Sequence, residues 1–138
     1  MSLPLPAGKI QDEPHYSHGS RLRVGVLLVN LGTPDAPDGP SLKRYLKEFL
    51  SDPRVVEIPS LVWWPILNLI ILQTRPKKSA AKYASVWMPE GSPLRVYSER
   101  QLQKTRERLA QKGFDIEMAL AMRYGQPSIA AAMADLKA

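Results

Sequence analysis

The stretch RVGVLLVNLGTP, residues 23–34, carries the strongest fold signal in this chain. Its first nine residues are mostly apolar and rich in β-branched side chains, which is typical of a strand buried on both faces of a parallel sheet. Gly32, Thr33 and Pro34 end the run and open a loop. The sequence therefore predicts a buried strand over Arg23–Leu31.

The segments that follow alternate between helical and extended patterns. Apolar residues recur at helical spacing from Leu42 to Leu50, and Asp52-Pro53 predicts the end of that helix. A short extended piece is expected over 55–58, a second strand over 114–122, and further helices over 76–87, from Ser92-Pro93 to Gly113, and from Pro127 onward. This order predicts an α/β fold with a parallel sheet flanked by helices, and two strands leave that sheet incomplete.

Composition excludes several classes of protein. The 138 residues are 44% hydrophobic and 23% charged, which is globular and not disordered or fibrous. The chain has no cysteine, so it holds no disulfide, zinc–thiolate or iron–sulfur site of its own. Of the net charge of +6, four charges come from Arg75, Lys77, Lys78 and Lys82, in a stretch without acidic residues. A basic coat suited to nonspecific nucleic-acid binding would be more dispersed, so no nucleic-acid partner is predicted.

Residues 1–22 are expected to form an irregular N-terminal arm without a secretory or twin-arginine signal. The arm contains both histidines of the chain, His15 and His18. Their spacing would suit a metal on a helix, but Pro14 and Gly19 disfavour a helix there. Solvated histidines are therefore expected, and no metal site is predicted.

The most hydrophobic stretch is LVWWPILNLIIL, residues 61–72. Twelve residues are too few to span a bilayer as a helix, which needs about 20. The run could be a plain core helix. Alternatively, residues 58–76 could form an exposed, interfacial surface, called here the apolar lip, because tryptophans lie at one end and a basic cluster follows the other. Trp63, Trp64, Ile66 and Leu67 are the predicted membrane-facing residues of this lip.

Ligands of open parallel sheets bind beyond the carboxyl ends of the strands. The loops at 30–34 and 123–127 occupy that position here. The first lacks the glycine pattern and lysine of a phosphate cradle, whereas Arg123 and Tyr124 in the second could hold a carboxylate and an aromatic face. Together with the apolar lip, they suggest a large, flat, apolar ligand with an anionic rim. A tetrapyrrole with propionates and a lipid both fit this description.

Four motifs in register make the chain resemble the N-terminal part of the ferrochelatase family. They are LLVNLGTP at 27–34, FLSDPRVVEIP at 49–59, the stretch from Tyr83 through Trp87 to GSPL at 91–94, and MRYGQP at 122–127. The resemblance implies a chelatase-like fold of two similar domains, each with a Rossmann-like parallel sheet, and a porphyrin cleft between them. Residues 23–138 would then be the first part of the first domain, with the second domain absent.

The resemblance also implies roles for individual residues. Leu31 matches a position that touches the macrocycle, and Arg123 and Tyr124 match a pair that lines the inner pocket. Arg75, Lys78 and Tyr83 match lip positions that reach the propionates or the rim, and Ser92 matches another propionate-side position. The family's catalytic histidine and its glutamate partner belong to the second half, so no catalytic residue is expected in this chain.

The activity implied is insertion of ferrous iron into protoporphyrin IX to form protohaem, the last step of haem biosynthesis. Iron is then a substrate, and no cofactor is expected to be bound by this part. The expected partners are the porphyrin substrate and the haem product, and the expected location is cytoplasmic, with peripheral contact at the inner membrane face. The alternative is an inactive porphyrin-binding or membrane-surface module that lacks the catalytic half.

Overall fold

The computed structural model describes residues 23–137, and the expected arm with His15 and His18 lies outside them. Along the described chain the elements are β1 (Gly25–Gly32), α1 (Gly39–Ser51), α2 (Ser60–Pro65), a π-helical segment (Ile66–Ile71), α3 (Leu72–Val86), α4 (Pro93–Gln111), β2 (Glu117–Tyr124) and α5 (Ile129–Lys137). The strands β1 and β2 pair in parallel. The predicted α/β class, with a parallel sheet flanked by helices, is confirmed.

The register of the two strands brings their carboxyl ends together. Gly25 pairs with Glu117 at the start and Gly32 pairs with Tyr124 at the end. One face of the sheet meets α4, where Asn30 Nδ2 donates to Ser98 Oγ at 2.9 Å. Leu136 of α5 lies beside Gly25 on the opposite face. The segments predicted as ligand-binding loops, residues 30–34 and 123–127, therefore lie at the same edge of the sheet. The loop prediction is wrong for residues 30–32 and 123–124, because they are the last residues of β1 and β2.

Burial is concentrated on β2. Met118, Leu120, Met122 and Tyr124 alternate along it, and all four are buried. By contrast, Val29 and Leu31 of β1 are each 52% exposed, so the expectation that β1 is buried on both faces is wrong for the described chain. Val29 and Leu31 point to the same face of the sheet, and within residues 23–137 that face is not fully covered at this position.

Helix α1 follows its sequence signals closely. The Asp38 side chain accepts a hydrogen bond from Ser41 N at 2.7 Å, which caps the first turn, and Pro40 lies in that turn. This backbone bond lowers the pKa of Asp38 below its usual value. Leu42 and Tyr45, one turn apart, are buried. The helix ends at Asp52 because Pro53 disfavours a helical conformation in the residue before it.

The extended piece expected over 55–58 is absent, and a turn takes its place. Asp52 Oδ1 accepts a hydrogen bond from Arg54 N at 2.9 Å. The Asp52 carbonyl accepts two more, from Val55 N at 2.9 Å and Val56 N at 3.1 Å. Three hydrogen bonds to one residue close the chain into a turn, which prevents extension at this point.

Residues 60–86, which include all of the apolar lip except residues 58 and 59, are helical throughout, with the π-helical segment at Ile66–Ile71. The boundary predicted at Pro76 is therefore wrong, since Pro76 lies inside α3. Side chains satisfy carbonyls around the irregular turn: Asn68 Nδ2 donates to Trp64 O at 2.8 Å and Thr74 Oγ1 donates to Ile70 O at 2.8 Å. Such local bonds make a widened turn tolerable. Within the described residues, no helix is both long and apolar enough to cross a membrane.

In the second half of the chain, the predicted start of α4 is confirmed, whereas β2 begins later than predicted. Ser92 caps α4 with Pro93 in its first turn, as the sequence predicts. Strand β2 begins at Glu117 and not at Phe114, because Phe114 N still bonds to Leu109 O after Gly113, which has a φ of 83°. The last helix, predicted from Pro127, begins at Ile129, and Ser128 Oγ accepts a hydrogen bond from Ala131 N at 3.2 Å.

Candidate functional site

The carboxyl edge of the sheet brings Leu31, Arg123 and Tyr124 together. The register pairs Asn30 with Met122 and Gly32 with Tyr124, which places Leu31 and Arg123 at matching positions between those pairs. The Leu31 side chain is half exposed, and so is that of Arg123. Both are therefore accessible to a ligand at this edge. Their predicted contact with a porphyrin stays a prediction.

Asp52, which sequence reasoning did not single out, is the hub of this edge. Its Oδ2 accepts hydrogen bonds from Arg123 Nη2 and from the Tyr124 hydroxyl, both at 3.0 Å. The side chain of Asp52 is only 11% exposed. The guanidinium carbon of Arg123 also lies 5.5 Å from the ring centroid of Tyr124, within reach of a cation–π interaction.

The electrostatics of the hub favour an ionised Asp52. The backbone hydrogen bond from Arg54 makes the largest contribution to lowering the pKa of this carboxyl. The bonds from Tyr124 and Arg123 lower it further, while burial opposes them. At neutral pH, Asp52 is thus a carboxylate that accepts hydrogen bonds and donates none.

An aromatic series along α1 supports Tyr124 from beneath. The rings of Tyr45 and Phe49 stack with centroids 5.9 Å apart, and Phe49 meets Tyr124 edge to face at 5.0 Å. The Tyr45 hydroxyl donates to Gly32 O at 3.2 Å, in the buried interior. Burial raises the pKa of Tyr45 to about 12, with smaller contributions from Tyr83, Tyr124 and Glu48. Such edge-to-face and stacked contacts fix the ring of Tyr124 relative to the helix.

The two loops at this edge approach each other closely, and two glycines permit it. Gly32 has a φ of 123°, and a Cβ on it would lie 1.9 Å from the carbonyl oxygen of Tyr124. Gly125 has a φ of 85°, and a Cβ there would lie 2.8 Å from Thr33 O. Gly125 N donates to Glu48 Oε2 at 2.9 Å, which ties the second loop to α1. An open depression of about 450 Å³ lies beside this junction, and its lining includes Glu48, Asp52, Arg123 and Tyr124.

A second depression, of about 290 Å³, lies between α1 and the apolar lip, with Arg75 as its only cationic side chain. Leu46, Leu50, Trp63, Ile71 and Ser79 complete its lining. Trp63 is held in place here, because its Nε1 donates to Leu50 O at 2.7 Å. Lys78 is exposed on α3, and Tyr83 packs edge to face on Trp87 at 6.4 Å. The predicted contacts of Arg75, Lys78 and Tyr83 with propionates stay predictions.

Ser92 has a structural role in the described chain. Its side chain is buried, and its Oγ accepts a hydrogen bond from Arg95 N at 3.3 Å. This bond caps α4 at its N-terminus. Ser92 therefore does not present an open hydroxyl at the surface, and its predicted propionate contact stays a prediction.

The four residues assigned to the membrane-facing lip divide by exposure. Trp64 is 64% exposed, whereas Leu67 is only 3% exposed. The assignment of Leu67 to an exposed lip is therefore wrong for the described chain, because its side chain is enclosed by the core. Trp63 and Ile66 are intermediate. Leu61, which was not assigned, is 91% exposed. The helix thus has both a buried and an exposed apolar side, so the core and lip interpretations each describe one side of it.

Metal ligands are not gathered anywhere in residues 23–137: no three His, Cys, Asp or Glu side chains lie close enough to hold an ion.

Of the predicted site residues, the structure brings together Leu31, Arg123 and Tyr124. Asp52 and Tyr45 were missed. Asp52 had a signal in the sequence, because Asp52-Pro53 predicts the end of a helix. That signal could not identify its partner Arg123, which is 71 residues away in the chain.

Comparison with known proteins connects this edge to one family. The ferrochelatase family model matches residues 23–138. The chain is similar to a ferrochelatase of Dechloromonas aromatica, at 66% identity over 126 residues, covering 91% of this chain and 34% of that protein. It is 57% identical over 130 residues to a ferrochelatase of Polaromonas sp., covering 91% of this chain and 35% of that protein. A ferrochelatase of Bordetella pertussis is 60% identical over 115 residues, covering 83% of this chain and 32% of that protein. The chain thus spans about a third of the length of the curated relatives it matches.

Proposed function

The chain belongs to the ferrochelatase family, and from this premise we propose that the protein inserts ferrous iron into a porphyrin, forming protohaem from protoporphyrin IX. The observation that carries the proposal is the meeting of Leu31, Arg123 and Tyr124 at the carboxyl edge of a parallel sheet. This edge is where open α/β sheets bind ligands.

Within that reaction, this part of the protein grips the porphyrin. The exposed Leu31 side chain offers an apolar contact to the flat macrocycle. The guanidinium of Arg123 uses an N–H group on Asp52 and has further N–H groups for an anionic substituent. Arg75 at the end of the apolar lip, and Lys78 and Tyr83 beyond it on α3, would meet the propionates at the rim.

Metal insertion requires that the pyrrole nitrogens lose their protons. Holding the macrocycle in a bent shape would tilt these nitrogens toward an incoming ion, and a neutral histidine could then accept the protons. Residues 23–138 contain no histidine. We therefore assign the grip to this part of the protein and the proton acceptor to the part of the family that this chain does not cover.

Iron insertion by the full-length gene product tests the proposal directly. Loss of porphyrin fluorescence under anaerobic conditions with ferrous iron reports turnover. We expect the wild type to be active and Arg123→Ala to lower kcat/KM by at least about ten-fold, since a charge-assisted contact contributes on the order of 1.5–3 kcal/mol. Arg108→Ala, an exposed arginine on α4, is the matched control and should retain full activity.

Two outcomes would contradict the assignment. A wild type that shifts the porphyrin Soret band but inserts no iron would indicate an inactive binding module. Full activity of Arg123→Ala would remove Arg123 from the substrate grip. The expected loss of activity in Arg123→Ala counts as support only if the variant's melting temperature matches that of the wild type, so that loss of fold is not read as loss of chemistry.

We further propose that the protein is cytoplasmic and contacts the inner face of the membrane peripherally through the apolar lip. Leu61 and Trp64 expose large apolar side chains. Lys77 and Lys78 are exposed farther along the chain, on α3. An apolar segment followed along the chain by cations is the composition that binds an anionic bilayer surface. Haem is poorly soluble in water, so release at a membrane would follow from this placement.

A further inference from the structure

Asp52 lies beside the substrate-binding residues and is hydrogen-bonded to two of them. Two donors from neighbouring residues of β2 converge on one of its oxygens: Arg123 Nη2 and the Tyr124 hydroxyl, each at 3.0 Å. The other oxygen accepts Arg54 N at 2.9 Å. All three donors therefore depend on a single carboxylate.

Asp52 is itself fixed by the backbone. It ends α1, and its carbonyl accepts hydrogen bonds from Val55 N and Val56 N. Its side chain is mostly shielded from water. A carboxylate on such a backbone has little freedom, so the groups bonded to it share its position.

We infer that Asp52 is a positioning residue for the porphyrin grip: it holds the Arg123 guanidinium and the Tyr124 phenol in the geometry in which they meet the substrate. This inference rests on the proposed function. It requires no contact between Asp52 and the substrate.

The hydrogen bonds also set the direction in which Tyr124 can act. Its hydroxyl proton is donated to Asp52, so its oxygen can only accept hydrogen bonds from another partner. Arg123, by contrast, only donates. The pair therefore presents one accepting atom next to a set of donors, and Asp52 determines that polarity.

A mutant cycle in the full-length gene product separates positioning from simple stability. Asp52→Asn keeps the size of the side chain but turns an N–H₂ group toward one of the donors. We expect it to lower kcat/KM for porphyrin by at least about ten-fold. Asp115→Asn is the matched control, since Asp115 is exposed near the amino end of β2, and it should leave kcat/KM within two-fold of the wild type.

The decisive measurement is the effect of Asp52→Asn on kcat/KM in the double variant Arg123→Ala/Tyr124→Phe. If Asp52 acts through these two side chains, adding Asp52→Asn should cost less than two-fold once they are gone. A further ten-fold loss in that background would overturn the inference, as would full activity of Asp52→Asn alone. If Asp52→Asn fails to fold, Asp52→Glu keeps the charge, moves it by one methylene, and should show the same dependence on the pair.

Failure of the proposed function has a different signature. If the wild type inserts no iron, Soret titration with protoporphyrin IX replaces turnover in the same cycle. Weaker porphyrin binding by Asp52→Asn than by the wild type, again lost in the double variant, supports the positioning role, and equal binding overturns it. A wild type that does not bind porphyrin overturns both proposals.

Discussion

Tyr45 shows how a single side chain couples the strand to the helix beneath the site. Its hydroxyl donates to the carbonyl of Gly32 at 3.2 Å, and its ring stacks on Phe49, which in turn contacts Tyr124. The phenol must stay neutral to donate, and burial, which raises its pKa to about 12, keeps it so. The contribution of this residue to stability is therefore expected to depend on pH in the alkaline range.

The sign of that dependence follows from the direction of the shift. A phenol whose pKa is raised in the folded state contributes its full share below the unfolded value of 10, and loses it as the pH rises toward about 12. At neutral pH, Tyr45→Phe should lower the free energy of unfolding by about 1 kcal/mol through the lost hydrogen bond. This difference between wild type and variant should shrink above pH 10.

Denaturant unfolding of both proteins across this pH range measures the difference. Tyr97→Phe serves as the matched control, because Tyr97 is exposed on α4. A gap between the wild type and Tyr45→Phe that stays constant from neutral pH to pH 12 would show that Tyr45 titrates as it does in the unfolded chain.

The site residues differ in how far the sequence alone could identify them. Arg123 and Tyr124 follow an apolar strand, so their place at a ligand-binding edge could be predicted from position. Asp52 could be placed at a helix end, but its partners depend on how α1 lies against β2, which no local pattern contains. Ser92 was predicted as an N-cap and is one, and that local geometry also accounts for its burial.

At the scale of elements, helix boundaries marked by capping residues were predicted well. Boundaries without such a signal differ from the prediction, because contacts beyond the local sequence determine them. Asp52-Pro53 and Ser92-Pro93 mark a helix end and a helix start where expected. Pro76 did not begin a helix, because the preceding apolar residues pack as a helix that continues through it. Phe114 reads as strand by alternation, but its backbone N–H is engaged by the end of α4.

The junction of the two strand-end loops makes a sharper test of element packing. Gly32→Ala places a Cβ 1.9 Å from Tyr124 O and forces a φ of 123° on a residue that resists it. We expect it to lower the free energy of unfolding by about 3 kcal/mol or more, since strain and overlap add. Chemical denaturation measures the loss, and weakened porphyrin binding should accompany it because the edge carries Tyr124.

Gly39→Ala is the matched control for this substitution. Gly39 begins α1, and nothing lies within 4 Å of a Cβ placed on it. Alanine there should be neutral or slightly stabilising, because it restricts the unfolded chain. Equal stabilities of the two variants would mean that the loops do not approach each other as closely as the structure describes.

At the scale of the whole molecule, the α/β class and the parallel pairing could be predicted, but the exposure of β1 could not. A continuous apolar run indicates burial on both faces, yet Val29 and Leu31 are half exposed within the described chain. The sequence pattern reflects all the contacts for which a strand is built. Relatives about three times longer than this chain have room for further covering elements.

The exposed residues of the apolar lip allow a test of the proposed membrane contact. Burying a large apolar side chain in a bilayer interface contributes about 1.5–3 kcal/mol, and each nearby cation adds about 1 kcal/mol on an anionic membrane. Leu61 and Trp64 are the exposed candidates, whereas Trp63 is tied to α1 and should contribute less. Replacing both exposed residues by aspartate should therefore lower membrane partitioning by at least about ten-fold.

Flotation of the full-length protein with phosphatidylglycerol vesicles measures this change. The wild type should float with the vesicles, Leu61→Asp/Trp64→Asp should not, and added salt should weaken the wild type because the basic cluster is screened. Phe114→Asp is the control, since Phe114 is also a large exposed apolar side chain, at 55% exposure, but lies near the amino end of β2. If this control abolishes flotation as fully as the lip variant does, the binding reflects general hydrophobicity and the lip is not the contact. If neither variant changes it, the membrane contact lies elsewhere in the protein.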